Sequence, residues 1–411
     1  MSPQQQFHSQ KYKPRGQQQQ SAGNSGATSF RSCKLDEVHD TFRRWLGDDY
    51  DIETLDAVLA TAACEQLPGD PPWLLVIAGS GNAKTETVQS LSAIGAHTVS
   101  TISSDGALLS ASPQKQKAKT ATGGLLRKIG RRGILVIKDF TSILSTSREI
   151  RGAILAALRE IHDGRWVRNV GTDGGQTLEW EGRIVVVGAC TTAWDQAHSV
   201  VASMGDRFVV IRPNSRKGRI NGGLQAMRNT GSEVAMREDL ADAVAGLMNG
   251  IDASQPYELT DKDETTIVEA AELVTLARTG VEVDYRGDVI DAHDPEAPTR
   301  LAKQLTQVLR GAMAIGMTHD DAMRLVKRCA KDSMPQLRLL VLNDVAKHPS
   351  SPVIEIRRRL QKPRTTIDRT LQALHILGLL VCEEKEVMRG NQTVWTRKYE
   401  LDSNISLQPL S

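Results

Sequence analysis

Cysteine and aromatic side chains are scarce in this 411-residue chain. Its five cysteines, Cys33, Cys64, Cys190, Cys329 and Cys382, stand far apart with no C-x-x-C pair. That argues against a zinc ribbon or a disulfide framework and fits a reducing compartment. Aromatics make up only 4% of the residues. No apolar run approaches the ~18 residues that a membrane-spanning helix needs. The first residues are rich in Gln, Ser and Gly, whereas a signal peptide opens with a basic patch and an apolar stretch. The expectation is a soluble, cytoplasmic protein with no membrane partner. A dominant sign of charge is also lacking: 51 Lys and Arg face 49 Asp and Glu. Any affinity for nucleic acid must therefore come from local basic clusters.

The length exceeds what one hydrophobic core organises, so two or three domains are expected. Residues 1–34 form a Gln-rich segment that cannot bury enough apolar surface to order itself. Residues 35–213 alternate helical periodicity with all-apolar runs, "WLLVIAG", "GILVIKDF", "RIVVVGACTT" and "RFVVIRP". Such runs are strands of a parallel sheet covered on both faces, an α/β fold. "RWVRNVGTDGGQTLEW" reads as a hairpin turning at Asp173-Gly174-Gly175. Residues 214–333 lose the strands and become helical. Residues 334–402 show three helical stretches followed by the alternating runs "LVCEEKEV" and "TVWTRKYEL", a winged-helix pattern, and 403–411 is a tail.

The most informative stretch is "LLVIAGSGNAKTET", residues 74–87. A phosphate-binding loop follows G-x-x-x-x-G-K-[ST], and here alanine, at Ala78 and Ala83, replaces both outer glycines. Gly79, Ser80, Gly81 and Asn82 can still form a cup of backbone N–H groups, since Gly and Asn tolerate positive φ. Lys84 is then the lysine for the outer phosphates of ATP, and Thr85 the Mg²⁺ ligand. Ala83 is acceptable if it already lies in the helical region.

The Ala-Lys-Thr ending resembles the replicative helicases of the minichromosome maintenance group, within the AAA+ ATPases. That resemblance implies an AAA+ P-loop core, a parallel sheet between helices, with a helical lid. It also implies roles for particular residues. "GILVIKDF" aligns with the strand that ends Asp-Glu-Phe in that family, placing Lys138 at the first acid and Asp139 at the second. Slipped by one residue, Asp139 becomes the Mg²⁺-linked acid and Phe140 replaces the base. Thr191, with Thr192 beside it, matches the polar sensor of the γ-phosphate. Arg207 in "SMGDRFVVIR" matches the arginine finger offered to a neighbouring subunit, and Arg300, with Arg310 as a rival, the second sensor in the lid. The basic stretch holding Lys115, Lys117 and Lys119 matches the family's helix-2 insert. The hairpin with Arg165 and Arg168 matches its pre-sensor-1 hairpin, and both project onto DNA in a hexameric ring. The entry into the loop also looks like helicase-type ATPases of phages and mobile elements.

In residues 334–401 basic residues outnumber acids twelve to seven. "RTTIDRTLQALHILGLL" fits a recognition helix whose Arg364, Thr365, Thr366 and Arg369 face a major groove while Leu371, Leu374 and Leu377 pack inward. Arg389 in "MRGNQ" stands at the wing tip, where it could reach a phosphate. The leading expectation is an oligomeric ATPase coupling ATP binding and hydrolysis to DNA engagement, a helicase or initiator in replication. Alternatives are a nucleotide-switched winged-helix transcription regulator, though the enhancer-binding activators' "GAFTGA" loop is absent, and a nucleotide-gated protein-remodelling switch.

Overall fold

The computed structural model describes residues 33–111, 123–171, 174–196, 207–214, 217–254, 256–389 and 392–411. Helices α1 (Leu35–Leu46) and α2 (Ile52–Ala63) precede strand β1 (Trp73–Ile77). The loop after β1 enters α3 (Lys84–Gln89), continued by a 3-10 turn at Ser90–Ile94, and then β2 (His97–Val99). Short helices α4 (Asp105–Leu108) and α5 (Leu125–Ile129) lead to β3 (Arg132–Ile137), followed by α6 (Phe140–Leu144) and α7 (Arg148–His162). The hairpin β4 (Arg165–Val170) and β5 (Gln176–Glu181) comes next, then β6 (Arg183–Cys190) and β7 (Phe208–Ile211).

The main sheet has five parallel strands in the order β2-β3-β6-β1-β7. Strands β1, β6 and β7 and most of β3 are apolar because both faces are covered, while edge strand β2 is partly exposed. Alternation divides them between two cores. Trp73, Leu75, Ile77, Leu135, Ile137, Val186 and Val210 face α5, α6, α7 and the hairpin residues Trp166 and Trp180. Leu74, Val76, Ile134, Val136, Val185, Val187 and Val209 face the second layer. That layer is α2 with helices that follow the sheet, α9 (Glu233–Met248), α10 (Asp261–Arg278), α11 (Thr299–Ala314) and α12 (His319–Asp332), while α8 (Arg219–Arg228) buries none of its residues and lies against α1. A Cβ on Gly311 would run into the Ala60 carbonyl, so glycine is what lets α11 lie close against α2.

Residues 334–402 form α13 (Gln336–Lys347), β10 (Ser351–Pro352), α14 (Val353–Leu360), α15 (Arg364–Ile376), β11 (Leu380–Arg389) and β12 (Gln392–Leu401). Three helices thus pack on a three-stranded antiparallel sheet in the order β10-β12-β11. Its buried Ile356, Ile367, Leu371, Leu374 and Tyr399 continue the second core of the main sheet.

Two stretches differ from the expectation. The helical region 214–333 contains a hairpin, β8 (Val281–Val283) and β9 (Val289–Ala292), whose turn is closed by Asp284 and Gly287. Residues 403–411 are folded back: Pro409 and Leu410 are buried, and Lys327 Nζ donates to the Ser411 carbonyl at 2.8 Å. Apolar residues in this last stretch find the groove between α10 and α12. Among the described residues, no helix is long and apolar enough to cross a membrane.

Candidate functional site

In a parallel sheet every strand ends at the same edge, and ligands bind outside those carboxyl ends. Here β6 lies between β1 and β3, with Ile77 level with Cys190 and Ile137 level with Gly188. The loop after β1, the Lys138-Asp139 pair after β3 and Thr191 after β6 therefore open onto one place. They line a cleft of about 1210 Å³.

The loop is built from two left-handed residues, Gly81 at φ 80° and Ala83 at φ 52°. Ala83 is thus not helical, contrary to the sequence expectation. The turn that brings Lys84 back toward β1 needs positive φ at the residue before it, which is where glycine normally stands. Asn82 Nδ2 donates to the Gly79 carbonyl at 2.9 Å, bracing the turn. The N–H groups of Gly81, Ala83, Lys84 and Thr85 pair with no acceptor among the described residues. Lys84 Nζ donates to the carbonyls of Ala78 at 2.7 Å and Gly79 at 2.6 Å, which holds its ammonium at the mouth of the loop. Burial lowers the Lys84 pKa, against the opposing pull of Cys190 and Asp139. Thr85 is exposed beside it.

Across the cleft, Asp139 ends β3 and caps α6. Its Oδ1 accepts from Ser142 N at 3.3 Å, and its Oδ2 accepts from the Ser142 hydroxyl. Lys138 is half-buried in the cleft wall. Thr141 was not singled out from the sequence, yet its Oγ1 donates to Thr191 Oγ1 at 3.3 Å and accepts from Thr191 N at 2.9 Å. This pair fixes two hydroxyl groups between loop and acid. Thr192 is exposed and absent from the lining. Burial raises the neighbouring Cys190 thiol, keeping it neutral.

The roof comes from α1, the loop after it and α8–α9, none of which the sequence marked. Asn221 Nδ2 donates to Asp49 at 2.9 Å, and Lys217 lies 3.8 Å from the same carboxylate. Arg237 on α9 holds Glu86 on α3 through two bonds of 2.9 Å, tying roof to floor. Tyr50 bonds Thr87 at 2.8 Å, and burial pushes its phenol far above its ordinary pKa.

Arg207 and Arg300 are not in the cleft lining. Arg207, only 11% exposed, pairs with Asp163 at 3.4 Å, and its carbonyl accepts from Gln304. Arg300 donates to Glu296 at 2.5 Å, and burial lowers its pKa. Arg207 and His162 share Asp163 and Gln304; burial lowers the His162 pKa, with Arg207 and Arg300 pulling the same way. The rival Arg310 donates to the Tyr257 carbonyl at 3.2 Å.

Among the nucleic-acid candidates, Lys115, Lys117 and Lys119 lie outside the described residues. Arg165 is exposed and paired with Glu179 at 2.7 Å. Arg168 faces inward, bonding the Leu109 carbonyl at 2.7 Å and Asp105 at 3.0 Å; it anchors the hairpin to the body. On α15, Arg364 is 77% exposed and Thr365 is exposed, while Thr366 is half-buried. Arg369 is taken up by the β8–β9 hairpin, where it donates to the Arg286 carbonyl and lies 4.0 Å from Asp288. Leu371 and Leu374 are buried and Leu377 partly so. Arg389 ends β11.

Neither a family model nor a curated protein sequence matches this chain. One solved structure, described as "The A form apo structure of NrS-1 C terminal region-CTR", is similar with a TM-score of 0.27 and 11% identity, covering 92% of this chain and 79% of that one.

Proposed function

We propose that this chain is an ATP-binding protein of the AAA+ kind that couples the nucleotide to engagement of DNA, as a helicase or initiator-like ATPase. The observation that carries the reading is the loop itself: N–H groups that pair with no acceptor among the described residues, and the Lys84 ammonium, line one cleft at the carboxyl edge of a parallel sheet. Oriented amides and a lysine are what a triphosphate requires. Thr191, held by Thr141, is positioned between loop and acid as a γ-phosphate sensor would be. Asp139 is the carboxylate that would orient an attacking water in this reading.

Arg207 and Arg300 are both absent from the lining of their own cleft, which favours roles in a neighbouring subunit's site and hence a ring, hexameric by resemblance. In trans, such arginines stabilise charge on the transferred phosphoryl group. Three C-terminal helices on a three-stranded antiparallel sheet support the winged-helix reading. Arg364 and Thr365 at the exposed start of α15, with Arg165 on the hairpin, are the DNA contacts among the described residues.

A Mg²⁺ at the phosphates would draw on Thr85 and Asp139, the one acid that follows β3 before α6. The residues present fit it poorly. Asp139 has both oxygens on Ser142, and Lys138 stands in the position before it. That observation favours a second reading, a nucleotide-switched winged-helix DNA-binding regulator with weak or no hydrolysis.

ATP turnover of the full chain with and without DNA separates the two. The motor predicts DNA-stimulated turnover that Lys84→Ala abolishes, and that Arg207→Ala lowers without weakening ATP binding. Tight ATP binding with no turnover assigns the regulator, and no ATP binding at all contradicts both.

A further inference from the structure

The charges around the cleft are unevenly distributed. Acids of its lining are engaged: in the roof Asp49 with Asn221 and Lys217 and Asp51 with Arg328, and in the floor Glu86 with Arg237. At the phosphate end Glu86 is thus taken up by Arg237, and Asp139 is turned onto Ser142. Facing it are two ammonium groups, Lys84 from the loop and Lys138 from the end of β3. Lys138 pairs with no carboxylate among the described residues. Alternation along β3 puts Val136 on the α2 side of the sheet; Lys138, two residues on, continues on that side and reaches the cleft wall.

A polyphosphate bound here meets two positive charges, Lys84 held by loop carbonyls and Lys138 in the cleft wall. A divalent cation entering the same space meets them too, and its repulsion from Lys138 is doubled by its own charge. Deepening the ATP reading above, and resting on it, we infer that the Lys138 ammonium takes the place of the bridging divalent cation, so that the chain binds ATP without Mg²⁺. An ammonium on the phosphate oxygens makes charge-assisted hydrogen bonds, and the lysine is carried by a rigid strand rather than recruited from solution. Lys84 and Lys138 would then hold the phosphates from both sides, one from each strand flanking β6.

The test is calorimetric titration of the full chain with ATP, once in EDTA and once in excess MgCl₂. The wild type is expected to bind with dissociation constants within about threefold of each other. Lys138→Met should weaken binding by about tenfold or more in both buffers. Lys138→Asp should bind in MgCl₂ and lose about tenfold or more in EDTA, because a carboxylate there completes a metal site. Thermal melts verify folding, and if Lys138→Asp does not fold, the wild type and Lys138→Met decide. Wild-type binding that needs MgCl₂ overturns the inference and leaves the ATP reading standing. No binding in either buffer overturns both.

Discussion

Ala83 carries φ 52° and ψ 10° immediately before the lysine of the loop. An L-residue in the left-handed region costs about 1–2 kcal/mol, whereas a glycine adds about 0.4–1 kcal/mol of unfolded-state entropy to be lost on folding. The first term outweighs the second. Ala83→Gly should therefore raise stability by about 0.5 kcal/mol and keep ATP binding. Ala83→Val, with a branched Cβ, should cost about 1 kcal/mol or more. Urea denaturation of the three proteins measures both. The loop was legible in the sequence because Lys84-Thr85 follow an apolar strand and a Gly- and Asn-bearing turn, even with alanine at both outer glycine positions. It did not show the dihedral at Ala83, because alanine itself prefers the right-handed region. Thr141 was equally hidden: its role depends on the register of β6 against β3, which juxtaposes residues fifty apart in the chain.

Elements with long, fully buried patterns were legible and those without an apolar face were not. β1, β3, β6 and β7 are runs of aliphatic residues that only a covered sheet accommodates. The β4–β5 hairpin announced itself by alternation around Gly174-Gly175. By contrast β8 and β9 expose Val283 and Ile290 at 54% and 60%, and their acids alternate without an inward apolar row. Their pairing is settled by contact with α15, through Arg369 and the Arg286 carbonyl. Gly287 makes that contact possible: it sits at φ 81°, and a Cβ there would lie 2.7 Å from Arg369 Cζ. Gly287→Ala is expected to cost about 1–2 kcal/mol and to release Arg369. A melt reads the first effect. Salt-dependent DNA binding reads the second, since a freed arginine that reaches a phosphate steepens the salt slope by about one.

At the scale of the whole molecule, one hydrophobic core runs from the α2 face of the sheet through α9–α12 into the C-terminal helices. The boundaries read from composition mark changes of pattern, while burial is continuous across them. Arg328 on α12 is the polar counterpart of this continuity. It holds both oxygens of Asp51 at 2.8 and 2.5 Å, Glu53 at 2.5 Å and the Arg212 carbonyl at 3.0 Å. Removing one partner of such a largely buried group costs about 3 kcal/mol, so Arg328→Met should lower the melting temperature markedly. Burial alone would raise the Asp51 pKa, but the bonds and charge of Arg328 outweigh it and hold the carboxyl below its ordinary 3.8. Stability from this pair is present above that value and lost as pH falls through the folded one. Burial raises Asp332, against Arg212 and Arg328, to about 6. It acts oppositely, its contribution being lost as pH climbs toward 6. Melts across this range should show the cluster's contribution greatest near pH 4; in Arg328→Met the loss below that pH should be blunted and the loss above it steeper. The central claim, a nucleotide cleft built around Lys84, is tested most directly by equilibrium ATP binding to wild type and Lys84→Ala at matched stability. The account predicts saturable binding by the wild type, weakened by about tenfold or more in the variant. Equal affinity in the two proteins would contradict it.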